Sequence, residues 1–204
     1  MRIGVLVSGR GSNLESILKS IQKGAIKGAQ VSVVISNRAE ARALRIAREY
    51  GAKAVTVSQG SASSEEFGSA LSVALRKHGV SPREGLVLLA GFMKVLPRSF
   101  VELYRGRIMN IHPSLLPAFP GLNAQRQALE HGVKVSGCTV HFVVPEVDAG
   151  PIIIQKAVAV KEGDDEGSLS SRILRQEHRI YPEAVRLFVQ GRLRIVGRGV
   201  LVKR

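Results

Sequence analysis

The segment IGVLVSGRGSNLESIL, residues 3–18, decides the fold because it joins a strand pattern to a helix pattern through a glycine-rich loop. Ile3 to Val7 is a short apolar run of the kind found in buried strands. Leu14 to Ile21 has the apolar spacing of an amphipathic helix. A buried strand that leads directly into a helix is the opening unit of a parallel α/β sheet.

The loop itself carries a chemical signal. Its glycines let the backbone turn tightly, and free N–H groups at a helix start favour an anion, so Gly11, Ser12 and Asn13 are candidates for phosphate binding. The alternative is a simple turn in which Ser12 or Asn13 caps the helix. Leu14 stands where a dinucleotide fingerprint has its third glycine, and the Gly-Lys-Ser/Thr ending of a Walker loop is absent. NAD and ATP are therefore poorly supported.

Strand and helix patterns continue to alternate beyond this segment. The predicted strands are Val31–Ile35, Ala54–Val57 and Leu86–Ala90, and the predicted helices are Ala41–Tyr50 and Ser64–Lys77. Continuous apolar strands between helices imply a sheet that is covered on both faces. We expect an α/β fold with a Rossmann-like, mostly parallel sheet and helices on both faces.

The second half of the chain changes character at a proline-rich loop. A short strand at Arg107–Ile111 runs into residues 112–121, whose three prolines exclude a continuous helix or central strand. The elements predicted after it are a helix at Ala124–Glu130, strands at Cys138–Val144 and Pro151–Val160, a helix at Leu169–Val189 that contains Pro182, and an edge strand pair within Arg192–Val202. We expect one domain over residues 1–204, with a phosphate-binding half (1–105) and a catalytic half (106–204).

Composition narrows the class of protein. The chain has 204 residues, 45% hydrophobic and 23% charged, which supports a packed core and excludes disorder. The longest apolar stretch is about half of the roughly 20 residues that a membrane helix needs. The single cysteine, Cys138, cannot form an internal disulfide, which favours the cytoplasm. We therefore expect a cytoplasmic protein, and the short apolar stretch indicates no association with a membrane.

The charge balance is strongly basic, at +14. Such an excess attracts nucleic acid, acidic lipid or small polyanions, and the sign alone does not choose among them. The basic residues are dispersed, and only 4% of the residues are aromatic, so stacking platforms for single strands are scarce. Nucleic acid is not the expected partner.

Three polar residues form the strongest catalytic candidate. In an extended segment Asn110 and His112 point to the same side, so the amide and the imidazole can converge on one atom at a strand end. Asp148, in the loop before Gly150, could orient the imidazole and favour its protonated form. Taken individually, each residue has another interpretation. His112 could be a structural histidine, and the Asp148 side chain could hydrogen-bond to the backbone of its own turn. No Cys or His spacing indicates a metal site, and core packing is the better interpretation of Cys138.

Six segments together resemble one family, the phosphoribosylglycinamide formyltransferases. They span the chain in order and read SGRGSNLESI (8–17), ISNRAEA (35–41), AGFMKVL (90–96), MNIHPSLLPAFPGL (109–122), VHFVVPEVDAGPII (140–153) and QEHRIYP (176–182). The resemblance implies transfer of a formyl group from 10-formyltetrahydrofolate, as co-substrate, to the amine of phosphoribosylglycinamide in purine biosynthesis. It implies no metal, and it implies a cis Leu116-Pro117 peptide bond.

The resemblance also implies residue roles. Asn110 and protonated His112 would stabilise the oxyanion of a tetrahedral intermediate, with Asp148 assisting proton transfer. Two sets would bind the ligands: Gly11, Ser12, Asn13 and Glu177 for the substrate, and Met93, Lys94, Val95, Leu96, Asn110, Val143, Val144 and Val147 for the folate.

Two other functions stay open at this point. One is another folate enzyme, which would use a tRNA, a sugar nucleotide or water as acceptor; such relatives usually carry an additional domain, for which 204 residues leave no room. The other is a basic nucleotide-binding module without catalysis, which would leave Asn110, His112 and Asp148 unexplained. The sequence also leaves a homodimer open.

Overall fold

A computed structural model describes residues 1–203 as an α/β domain. Its strands are β1 (Arg2–Val7), β2 (Gln30–Ser36), β3 (Lys53–Thr56), β4 (Leu86–Leu89), β5 (Ile108–His112), β6 (Val135–Phe142), β7 (Ile152–Ala159), β8 (Leu193–Val196) and β9 (Gly199–Val202). Its helices are α1 (Ser12–Gln22), α2 (Arg42–Glu49), α3 (Ser64–Lys77), α4 (Arg98–Leu103), α5 (Ala124–Glu130) and α6 (Glu166–Val189).

The strands form one sheet in the order β3-β2-β1-β4-β5-β6-β7-β9-β8. The pairings from β3 to β5 are parallel, whereas β6 pairs antiparallel with both β5 and β7. The chain moves outward from β1 to β3 and then returns to the other side of β1 with β4. This reversal places the loops after β1 and β4 side by side, at the switch point where open α/β sheets bind ligands.

The core has one layer on each face of the sheet. Val5 and Val7 of β1 face a cluster that includes α1, α2, α5 and α6, whereas Leu6 between them faces a cluster that includes α3 and α4. This alternation follows from the two-residue period of a strand. The predicted mostly parallel sheet with helices on both faces is confirmed.

Several predicted bounds differ from the structure. Helix α4 was not predicted, because its six residues are too few to show a helical period; it begins after Pro97, and Phe100 and Val101 are buried. Strand β6 ends at Phe142, so Val143 and Val144 belong to the following loop rather than to the strand. Helix α6 begins three residues earlier than predicted, at Glu166, where Asp165 forms a capping box with Ser168.

The C-terminal edge pair is confirmed. Strands β8 and β9 pair antiparallel, and Gly199 of β9 pairs parallel with Ile152 of β7. Within residues 1–203, each helix is too short or too polar to cross a bilayer.

Candidate active site

Three polar side chains converge at the carboxyl end of β5. Asn110 and His112 lie two residues apart on β5, and Asp148 lies on the loop between β6 and β7. Asn110 Nδ2 donates a hydrogen bond to Asp148 Oδ1 at 3.4 Å, and His112 Nδ1 lies 3.3 Å from Asp148 Oδ2. The structure therefore brings together the three residues that the sequence singled out for chemistry.

Both ring nitrogens of His112 face acceptor atoms. Nδ1 faces the Asp148 carboxylate, and Nε2 lies 2.9 Å from the backbone oxygen of Phe119. A carboxylate and a carbonyl oxygen only accept hydrogen bonds, so an imidazole that donates to both carries a proton on each nitrogen. The position of the ring thus suits the imidazolium form.

Burial opposes that charge. His112 is 5% exposed. Desolvation holds the pKa of its imidazole below the ordinary value, although the Phe119 carbonyl and the Asp148 carboxylate act to raise it. A protonated His112 therefore stays a prediction. Asp148 has the expected effect on the pKa, but desolvation outweighs it.

Asp148 is itself held as a carboxylate. Burial acts to raise its pKa, but hydrogen bonds from His141 and from the Gly121 N–H, together with nearby His112, bring the pKa below its ordinary value. The Gly121 N–H donates to Oδ2 at 2.8 Å, which ties the proline-rich loop to Asp148. In that loop the Leu116-Pro117 peptide bond is cis, as predicted.

His141 is a member of the site that the sequence analysis missed. Strand β6 pairs antiparallel with β5 so that His141 lies directly opposite Asn110. Its Nε2 lies 3.2 Å from Asn110 Nδ2 and 3.6 Å from Asp148 Oδ1. The only sequence signal was its place in the 140–153 segment, because the register between two strands cannot be read from spacing.

The loop after β1 leaves the start of α1 open. Gly11 is the N-cap residue, with a left-handed φ of 81°, and no side chain caps the helix. A Cβ at Gly11 would lie 2.7 Å from the Ala43 Cβ, so this position has no room for a larger residue. The simple-turn alternative, in which Ser12 or Asn13 caps the helix, is therefore wrong. Gly11, Ser12 and Asn13, at the uncapped start of α1, line a cleft of about 750 Å³.

Glu177 of α6 lies in the wall of the same cleft. It is 7% exposed, and its Oε2 accepts a 2.6 Å hydrogen bond from Asn13 Nδ2. Burial raises the pKa of this carboxyl group, and the hydrogen bond from Asn13 only partly offsets the effect. The Oδ1 atom of Asn13 is buried without a hydrogen-bond partner among residues 1–203. The two side chains thus offer unused acceptor oxygens beside the open helix end.

A second cleft, of about 490 Å³, has a largely apolar wall. All eight residues predicted to contact folate line it: Met93, Lys94, Val95, Leu96, Asn110, Val143, Val144 and Val147. Met93, Val95 and Val147 are more than half exposed, which leaves apolar surface free for a ligand. His112 and Asp148 lie in the wall of this cleft as well.

The two clefts are continuous. They share six lining residues, namely Gly91, Met93, Ile111, Pro113, Gln125 and Glu166. One end is polar and lies at the start of α1; the other end is apolar and lies against the loop after β6. The polar cluster on β5 faces the apolar part, beside the shared residues, where two ligands bound at opposite ends would meet.

Other chemistry in the described chain is limited. Cys138 is fully buried on β6, and desolvation raises the pKa of its thiol to about 12, so it is inert as a nucleophile. Within residues 1–203 there is no group of three or more His, Cys, Asp or Glu side chains placed to hold a metal ion.

A cleft at the switch point of a Rossmann-like sheet, with an Asn, a His and an Asp at its centre, suits a group transfer between two bound ligands. A family model described as Formyl transferase matches residues 1–185. The chain belongs to this formyl transferase family.

Within the family, two proteins are similar to this chain over nearly its whole length. The chain is 43% identical over 196 residues to the phosphoribosylglycinamide formyltransferase of Escherichia coli, covering 96% of this chain and 90% of that protein. A solved glycinamide ribonucleotide transformylase 1 from Symbiobacterium toebii has a TM-score of 0.95 and 53% identity, over 100% of this chain and 94% of the other.

Longer relatives match as well. The human trifunctional purine biosynthetic protein adenosine-3 is 43% identical over 95% of this chain. This chain spans 19% of that relative's length.

Proposed function

We propose that this protein transfers the formyl group of 10-formyltetrahydrofolate to the amine of phosphoribosylglycinamide, a step of purine biosynthesis. The observation that carries the proposal is the continuous cleft, with Asn110, His112 and Asp148 between a polar end and an apolar end. A transfer between two bound molecules needs this geometry, because the reacting atoms must meet at one set of polar groups.

The reaction needs no nucleophile from the protein. The substrate amine nitrogen attacks the formyl carbon, a C–N bond forms, and the formyl oxygen becomes an oxyanion. Asn110 and a protonated His112 stabilise the negative charge on that oxygen. The bond to the folate N10 then breaks, and the proton lost by the amine reaches N10 with the help of Asp148. Asn110 and His112 stabilise the charge directly, so the proposed step uses no metal.

The pKa of His112 fits this sequence of events. Burial lowers the pKa of the imidazole, which favours the neutral ring. A negative charge that develops beside the ring favours its protonated form, in the same way that Asp148 does. The imidazolium is therefore favoured most as the oxyanion forms, which is where it lowers the barrier.

The polar end supplies the groups for a phosphoribosyl substrate. We assign the phosphate to the open N–H groups of Gly11, Ser12 and Asn13, because the start of a helix attracts an anion. Arg10 and Arg38 line the same end and add positive charge. We assign Glu177 to the hydroxyl or amide groups of the substrate, since its buried oxygens accept hydrogen bonds.

The apolar end supplies a slot for the folate. Met93, Leu96 and Val147 provide apolar contacts, and the backbone of residues 92–96 and 143–147 provides hydrogen-bonding groups for a pterin ring. The proposal keeps one domain in which the first half, residues 1–105, supplies the phosphate-binding loop and one wall of the folate slot. The second half, residues 106–204, supplies the catalytic residues, the other wall of the folate slot and Glu177. All the assigned groups come from one chain, so the proposed chemistry does not require a homodimer. A cytoplasmic location belongs to the same proposal and is supported by the single buried thiol.

The proposal is tested by the choice of acceptor. Purified protein with 10-formyltetrahydrofolate should show a kcat/KM at least about 10³-fold higher with phosphoribosylglycinamide than with initiator tRNA or a sugar nucleotide, since a site built for one polar ligand rejects others strongly. An Asn110→Ala variant is the control for formyl transfer that does not depend on the catalytic residues. Equal rates with all acceptors, or rapid release of formate without an acceptor, would contradict the proposal.

A further inference from the structure

The side chain of Ser8 lies where the two ends of the cleft meet. Ser8 follows β1, it is 5% exposed, and β1 neighbours β4 in the sheet. The loop after β1 leads into the start of α1, at the polar end of the cleft. The segment after β4, residues 91–96, forms part of the wall at the apolar end. Ser8 therefore lies between the two walls of the cleft at the switch point.

The backbone of residues 91–96 is hydrogen-bonded to Ser8. The Ser8 N–H donates to the Gly91 carbonyl oxygen at 3.1 Å, and the Met93 N–H donates to Ser8 Oγ at 2.8 Å. Within residues 1–203, these are the two backbone hydrogen bonds that join residues 91–96 to other parts of the chain.

Asn37 fixes the orientation of the Ser8 hydroxyl. Ser8 Oγ donates to Asn37 Oδ1 at 2.6 Å, and Asn37 follows β2 on the other side of β1. With its proton directed to Asn37, the hydroxyl oxygen presents its lone pairs to the Met93 N–H. Three strand ends are thus joined by one hydroxyl group.

We propose that Ser8 is a positioning residue that holds residues 91–96 in the conformation that binds the folate. The proposal rests on the proposed function, because it assigns residues 93–96 to folate. According to this proposal, the Ser8 hydroxyl group affects the binding of the folate and not that of phosphoribosylglycinamide, although Ser8 belongs to the loop assigned to phosphoribosylglycinamide.

This asymmetry follows from how the two segments are anchored. The loop after β1 has anchors that do not involve the Ser8 hydroxyl: Ala43 N–H donates to the Gly9 oxygen at 3.1 Å, and Glu15 N–H donates to the Gly11 oxygen at 2.9 Å. Residues 91–96 have no comparable backbone hydrogen bonds apart from those to Ser8 in the described chain, although Phe92 stacks on Phe67 and Leu96 is buried in the core. Loss of the hydroxyl leaves the Met93 N–H without its partner, while the start of α1 keeps its shape.

The test separates the two Michaelis constants. In Ser8→Ala we expect the KM for 10-formyltetrahydrofolate to rise about tenfold, the scale expected when one buried hydrogen bond is lost. The KM for phosphoribosylglycinamide should stay within about twofold. Asn37→Ala should raise the folate KM by a smaller factor, and the double variant should be no worse than Ser8→Ala, because both changes act through one hydroxyl.

Ser32→Ala is the matched control. Ser32 is buried on β2, and its Oγ has no hydrogen-bond partner among residues 1–203, so its removal should change neither KM. An unchanged folate KM in Ser8→Ala, or an equal rise in both KM values, would overturn the proposal. If Ser8→Ala does not fold, an unchanged folate KM in Asn37→Ala overturns it.

A calorimetric measurement of tetrahydrofolate binding tests the role of Ser8 separately from the proposed formyl transfer. A wild type that binds tetrahydrofolate but transfers no formyl group to phosphoribosylglycinamide contradicts the proposed function alone. Weaker tetrahydrofolate binding in Ser8→Ala would still support the role of Ser8, and unaltered binding would refute it.

Discussion

Replacing Asp148 by Asn removes one negative charge while keeping the shape of the side chain. In the wild type, Oδ2 accepts from the Gly121 N–H and faces His112 Nδ1, and Oδ1 faces Asn110 Nδ2 and His141 Nε2. An amide group must direct its NH2 toward some of these donors. A hydrogen bond to a charged group is worth about 1.5–3 kcal/mol, and the side chain is only 11% exposed, so we expect a loss of unfolding free energy of that size.

The larger effect should be on catalysis. Without the carboxylate, the pKa of His112 falls further below its ordinary value, because burial still acts and the attraction that opposed it is gone. Less imidazolium is then available when the oxyanion forms, and we expect kcat to fall about 10²- to 10³-fold, the range seen when one oxyanion donor is lost.

A pH profile of kcat tests this prediction. The limb that reports His112 should shift to lower pH in Asp148→Asn, and a histidine NMR titration should show the same shift. Glu162→Gln, which removes an equal charge from an exposed residue, is the control and should leave both unchanged. Superimposable pH profiles with kcat within a few fold of wild type would refute the pairing of Asp148 with His112.

Three further predictions concern the polar end of the cleft. Gly11→Ala should raise the KM for phosphoribosylglycinamide at least about tenfold and lower the melting temperature, because φ is 81° and the new Cβ meets Ala43; an unchanged KM would argue against phosphate binding there. Burial raises the pKa of Glu177 in the folded protein. The free energy of unfolding of the wild type should therefore fall as the pH rises from the ordinary pKa of a Glu carboxyl group through the raised pKa. Glu177→Gln should abolish this fall in thermal unfolding at pH 5 and 8, while the substrate KM rises; a persistent fall would contradict it. A double alanine variant of Arg10 and Arg38 should raise the substrate KM about three- to tenfold in low salt and less in about 0.5 M salt, as screening predicts; a salt-independent effect would contradict a role as exposed charges.

Much of the fold was predictable because its signals are local. The apolar run at residues 3–7 and the glycines after it predict a buried strand, a turn and a helix, and all three are present. Asn110 and His112 lie on one strand, so their common direction follows from a two-residue period.

The remaining features depend on contacts that are distant in sequence. His141 joins the site because β6 pairs with β5 in a particular register, and the partner of Ser8 lies 85 residues away at Met93. The burial of His112, which sets the direction of its pKa, depends on the proline-rich loop that covers it. Neither a register nor a covering loop leaves a periodic pattern in the sequence.

The fate of a labelled formyl group tests the central claim most directly. Protein is mixed with 10-formyltetrahydrofolate that carries ¹³C in the formyl group and with phosphoribosylglycinamide, and the carbon is followed by NMR. The account predicts that the label appears in a new formamide on the substrate amine, with one tetrahydrofolate released per label, and that the Asn110→Ala and His112→Ala variants slow its appearance severely. Label that accumulates as formate, or that stays on the folate while both ligands are bound, would contradict the account.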